Sequence, residues 1–160
     1  MTHAVQLIDA LRERGWTLGV AESLTGGAVT SEVVSVPGAS AALLGGVVAY
    51  ATAVKHTLLG VDRRVLSEHG PVHPDVAAQM AEGVRRAVAV DGRSADVGIS
   101  TTGIAGPESP DGQPVGTVHV GIATPFGTRS IPHRFSGTRA EIRQQAVEAA
   151  IAAALDAVRE

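Results

Sequence analysis

Residues 17–27 read TLGVAESLTGG, an apolar stretch that gives way to a glutamate, a serine and then Thr-Gly-Gly. The segment TLGVAES (17–23) has the length and the Val/Leu content of a buried strand ending in polar residues. Thr25-Gly26-Gly27 then opens a helix that runs towards position 36 and is stopped by Pro37-Gly38. The rest of the chain repeats this alternation. Residues 4–14 form an amphipathic helix with Val5, Ile8 and Leu11 on one face, stopped by Gly15. LLGGVVAYA (43–51) is a second strand, followed by a short helix over 54–59. Pro74 suits the first turn of a helix over about 75–90, and ADVGISTTG (95–103) is a third strand. The loop IAGPESPDGQP leads to VGTVHVGIAT (115–124), which a short turn at 125–127 joins to TRSIPHRFS (128–136) as a hairpin. Thr138 and Glu141 form a capping box for a last helix over 139–158.

Helices alternating with strands, then a hairpin and a closing helix, predict an α/β protein. The expected architecture is a three-layer α/β/α sandwich with a mixed β-sheet, one domain over residues 1–160. The last helix is rich in Ala on more than one face, so it is expected both to pack between layers and to contribute to a homodimer interface.

Composition narrows the function. Hydrophobic residues make up 44% of the chain, yet the only aromatics are Trp16, Tyr50, Phe126 and Phe135, so the core is aliphatic. With 19 glycines, backbone layers can approach closely. A net charge of −3 argues against stable nucleic-acid binding, which needs a basic excess. The absence of cysteine excludes disulfides, thiolate metal sites and thiol nucleophiles. No signal-peptide pattern and no membrane-spanning apolar run is present, which makes the cytoplasm the expected location. Among thirteen basic residues, Lys55 is the only lysine, five positions after the only tyrosine, Tyr50. Arginine cannot release its proton at working pH, so one lysine in an arginine background points to a titratable amine. The competing reading is a stray surface charge.

Polar segments follow three predicted strand ends: Glu22 to Gly27, Tyr50 to Lys55, and Ser100-Thr101-Thr102-Gly103. Ligands of open α/β sheets bind beyond the carboxyl ends of strands, so parallel strands would bring these segments to one crevice. The Thr-Gly-Gly turn offers backbone N–H groups to an anion such as phosphate; the alternative is an ordinary turn with Thr25 as N-cap. Ser23 is a weak nucleophile without a base. None of the six histidines has metal-ligand spacing, and Pro71 and Pro74 break any helix that would align His69 with His73. A neutral lysine is the other available base, provided burial lowers its pKa by roughly 3 units. Arg139, in the first turn of the last helix, either meets a substrate phosphate or pairs with Glu141.

Together the stretches AESLTGG (21–27), VVAYATAVKHTLLGV (47–61), GPVHPDVAAQMAEGVR (70–85), TTGIAGP (101–107), PVGTVHVGIA (114–123) and FSGTRAEIRQQA (135–146) resemble the C-terminal domain of the CinA competence/damage-inducible family. The likeness is strongest to its single-domain nicotinamide-nucleotide amidases. The resemblance implies hydrolysis of nicotinamide mononucleotide to nicotinic acid mononucleotide and ammonia, with no metal or cofactor. It implies Ser23 as nucleophile, Lys55 as its base and Tyr50 as a hydroxyl that positions or relays the proton. Thr101, Thr102 and Gly103 are then the substrate-facing strand end, with Thr25, Gly26, Gly27 and Arg139 towards phosphate and ribose. Family members commonly carry Ser where this chain has His73; losing a Ser cap costs about 1 kcal/mol. The alternatives are a non-catalytic nucleotide-binding module linked to competence or DNA damage, and an amidase for another carboxamide.

Overall fold

The computed structural model describes residues 1–160. Strands β1 (Leu18–Glu22), β2 (Leu43–Val48), β3 (Val97–Gly103), β4 (Thr117–Thr124) and β5 (Gly127–Arg134) form one sheet in the order β2-β1-β3-β4-β5. β1 is parallel to β2 and β3, while β3-β4 and β4-β5 are antiparallel, so the sheet is mixed as expected. The carboxyl ends of β1, β2 and β3 therefore share one edge. Pro132 falls on β5, an edge strand, where the missing N–H costs no central ladder bond.

Helices α1 (His3–Arg14), α2 (Ala28–Val34) and α6 (Arg139–Arg159) cover one face. The other is covered by α5 (Pro74–Ala87), with α3 (Thr52–Leu59) and α4 (Arg63–His69) packed beside it. Strand alternation feeds both layers: Val118, Val120 and Ile122 join the core under α1 and α6, and Gly121 faces α5. α5 lies almost in contact with the sheet backbone. A Cβ on Gly98 or Gly121 would collide with the carbonyls of Ala81 and Ala77, and Ser100 Oγ donates to Ala77 O at 2.6 Å. This close approach fixes the first half of α5 against the middle of β3 and β4.

Several boundaries differ from the sequence reading. α2 begins at Ala28 rather than Thr25, because Gly26 (φ 60°) and Gly27 (φ 103°) take left-handed conformations and form a turn ahead of it. Thr25 is not its N-cap. α4 is an additional short helix, capped by the Asp62 carboxylate on Arg64 N at 2.7 Å. α5 ends three residues early. Its cap is not lost at His73: the imidazole Nδ1 accepts from Asp75 N at 3.2 Å, and Pro74 occupies the first turn. The capping box of α6 is present, and its buried Ala146, Ala150, Ala154 and Ala157 are covered within the chain by α1 and the sheet. No helix is long and apolar enough to cross a membrane.

Candidate active site

Ser23 directly follows β1, and the turn that carries it is held from three sides. Its N–H donates to Thr101 O at 3.1 Å, and Thr101 Oγ1 is 2.8 Å from Thr25 Oγ1. The fully buried Glu22 carboxylate accepts from Val29 N (2.8 Å), Thr30 N (3.0 Å) and Thr30 Oγ1 (2.7 Å). From α6, Arg143 donates to Leu24 O (2.9 Å) and Thr25 O (3.2 Å). The start of α2 is thus taken by the protein's own carboxylate, which corrects the reading of it as a phosphate site. Gly26 N closes the turn onto Ser23 O at 3.2 Å, whereas the Leu24 N–H donates to no group of the chain.

Lys55, in the first turn of α3, is 1% exposed. Its Nζ lies 2.8 Å from Ser23 Oγ, 2.7 Å from Ala49 O and 3.1 Å from Tyr50 O. Burial lowers its pKa from 10.5 to about 8. A neutral amine fits these three partners: its two N–H groups donate to the carbonyls, and its lone pair accepts the hydrogen of the serine hydroxyl.

Both residues line a cavity of about 400 Å³, together with Tyr50, Thr102, Gly103 and Arg139, and with the loop that carries Glu108 and Asp111. Arg139 does not pair with Glu141, whose carboxylate instead accepts from Thr138 N at 3.1 Å. Its guanidinium donates to Gly106 O (2.6 Å) and reaches Tyr50 Oη (3.4 Å). Tyr50 is 64% exposed, and its hydroxyl bonds neither Ser23 nor Lys55. The relay reading is corrected accordingly: Tyr50 serves the lysine through its carbonyl and meets Arg139 with its hydroxyl. Thr102 Oγ1 donates to Pro71 O at 2.7 Å, tying the strand end to the opposite wall. Thr101 and Thr25 are fully buried and lie outside the lining, as do Gly26 and Gly27.

None of the histidines lines the cavity. His119 pairs across the sheet with Thr102, and desolvation, followed by the nearby His73 and His133, lowers its pKa. His69 and His73 are brought face to face by the loop between α4 and α5, with ring centroids 4.3 Å apart and planes at 15°. The prolines prevent a common helix but not this stack. No group of three or more His, Asp or Glu side chains is placed to hold a metal ion.

Sequence reasoning missed the roles of Glu22 and Arg143. Each was visible within a quoted motif, but a partner seven residues or more than a hundred residues away leaves no local signal.

The CinA C-terminal domain profile matches residues 1–158. A CinA-like protein of Frankia casuarinae is 46% identical over 145 residues, covering 91% of this chain and 32% of that protein. A putative competence-damage inducible protein of Geobacillus kaustophilus is 45% identical over 138 residues, covering 85% and 32%. The chain therefore spans about a third of the length of these curated relatives. A CinA superfamily protein from Klebsiella pneumoniae, solved by crystallography, superposes with a TM-score of 0.91 at 30% identity, covering 98% of this chain and 96% of that one. The competence/damage-inducible protein CihA of Agrobacterium tumefaciens gives 0.89 at 31% identity, covering 99% and 94%. With this sheet order, this strand-end crevice and a profile match over nearly its whole length, the chain belongs to the CinA C-terminal domain family.

Proposed function

We propose that the chain is an amidohydrolase that converts nicotinamide mononucleotide and water to nicotinic acid mononucleotide and ammonia. The observation that carries this reading is the 2.8 Å contact between a buried lysine amine and a serine hydroxyl inside a ligand-sized cavity. With a pKa of about 8, roughly a tenth of the amines are neutral at pH 7. That fraction is enough for general-base work, which an arginine could not do.

In this mechanism the Ser23 hydroxyl gives its proton to Lys55 as Oγ attacks the carboxamide carbon. The Leu24 N–H, free and next to the nucleophile, donates to the developing oxyanion. Collapse of the tetrahedral intermediate breaks the C–N bond. The departing nitrogen takes the proton from Lys55 and leaves as ammonia, with an ester on Ser23. Water then gives a proton to Lys55 and attacks the ester; the acid departs, and that proton returns to Ser23 Oγ. Arg139 and the Tyr50 hydroxyl, beside each other at the cavity, receive the phosphate and ribose. No step calls on a metal or cofactor.

The test is ammonia release from nicotinamide mononucleotide by the wild type, Ser23→Ala and Lys55→Arg. Wild-type release abolished in both variants is expected. Nucleotide binding without release would favour a binding module, and release from a different carboxamide alone would change the substrate.

A further inference from the structure

The Glu22 carboxylate is 0% exposed and accepts hydrogen bonds, yet no Lys or Arg contacts it. A buried carboxylate held by three hydrogen bonds and no cation is an elaborate way to cap a helix of seven residues. The same chain caps α4 and α6 with exposed Asp62 and Thr138, short side chains at the ordinary N-cap position. The arrangement at Glu22 therefore does something that a local cap would not.

Its geometry shows what. Glu22 is the last residue of β1, and its carboxylate bridges to Val29 and Thr30, so Ser23 lies in a short loop closed at both ends. Its main-chain carbonyl accepts from Ala49 N at 2.8 Å, and the Ala49 carbonyl in turn accepts from Lys55 Nζ at 2.7 Å. One residue thus fixes the serine through its side chain and reaches the lysine through the main chain of Ala49. We propose that Glu22 is a positioning residue that sets the Ser23 hydroxyl against the Lys55 amine. The inference rests on the Ser/Lys reading above and extends it to a residue that touches neither substrate nor reacting atoms.

Glu22→Gln keeps the volume but replaces one acceptor oxygen with an NH₂ group that faces an N–H donor. Three readouts apply: thermal unfolding, kcat and KM for ammonia release, and the rate at which a small fluorophosphonate labels Ser23, followed by mass spectrometry. Val33→Ala, which loosens the core side of the same helix, is the stability-matched control. The expected result for Glu22→Gln is a fall in labelling and kcat together of about tenfold to a hundredfold, with KM little changed. Val33→Ala at the same loss of melting temperature keeps the labelling rate. Should Glu22→Gln not fold, Thr30→Val removes only the hydroxyl bond to the carboxylate and is expected to slow labelling more modestly. Wild-type-like labelling in Glu22→Gln or, failing that variant, in Thr30→Val overturns the inference, as does an equal fall in Val33→Ala. Labelling is independent of the nucleotide, so a wild type that labels but releases no ammonia sinks the substrate while the positioning role stands. A wild type that does not label sinks both.

Discussion

Lys55 Nζ sits 2.8 Å from Ser23 Oγ, and the carbonyls of Ala49 and Tyr50 take up its two other directions. The geometry makes the serine a partner of the amine lone pair only when the amine is neutral. Activity is therefore expected to rise with pH and to level off above an apparent pKa of about 8 in kcat/KM, the value to which burial brings Lys55 in the free protein. Lys55→Arg keeps the positive charge and removes the base, and a loss of about a hundredfold or more in kcat is expected. A kcat/KM that stays flat between pH 6 and 9 would count against the lysine as base.

The same amine links stability to pH. In the unfolded chain Lys55 titrates at its ordinary value of 10.5, and in the fold at about 8. Between these values the unfolded state binds more protons, so stability contributed by this group rises with pH across that window. Below pH 8 the fold carries the full cost of the buried charge; above 10.5 it carries none. Relative to Lys55→Met, which has no such titration, the wild type is expected to gain up to about 3 kcal/mol between pH 8 and 10.5. Urea denaturation of both proteins at matched pH values measures this, and parallel curves would mean that Lys55 is not perturbed.

His73 offers a test of the fold beside the cavity. Its Nδ1 caps α5 on Asp75 N, and its ring stacks on His69. His73→Ser restores an ordinary cap and is expected to leave the unfolding free energy within about 0.5 kcal/mol, while His73→Ala loses about 1 kcal/mol. Denaturant midpoints with unchanged slopes would check both. A His73→Ala variant as stable as the wild type would show that the imidazole bond contributes nothing.

The fold was largely legible because its signals are local. Gly15, Pro37-Gly38 and the Thr138/Glu141 box mark helix ends wherever they occur, and the alternation along 17–27 needs no tertiary partner to be read. The convergence of Ser23 and Lys55 at one edge was readable as soon as the strands were taken as parallel, and the lone lysine stood out by its chemistry. What escaped depends on distance in space. Thr25 has the residue type of an N-cap, but its hydroxyl is drawn to Thr101 while Glu22 reaches forward to cap α2. Tyr50 was expected to act through its hydroxyl; the backbone turn between β2 and α3 presents its carbonyl to the lysine instead. α4 has only seven residues, too few for its apolar period to show.

Under the proposed function, Arg139 is the residue expected to distinguish a nucleotide from a smaller amide. Its guanidinium lies against Gly106 O and Tyr50 Oη, leaving donors for an anion, and it is the one arginine that lines the cavity. Lys55, the other basic residue of the lining, is engaged with Ser23 and two carbonyls. If Arg139 holds the phosphate, Arg139→Met should raise KM for nicotinamide mononucleotide by about tenfold to a hundredfold, the worth of a charge-assisted hydrogen bond. The same variant should leave kcat/KM for nicotinamide riboside, which lacks the phosphate, nearly unchanged. The preference for nucleotide over riboside thus collapses. An equal loss on both substrates would place the role of Arg139 in holding the Gly106 loop rather than in binding the anion. Steady-state ammonia release with the two substrates separates these outcomes.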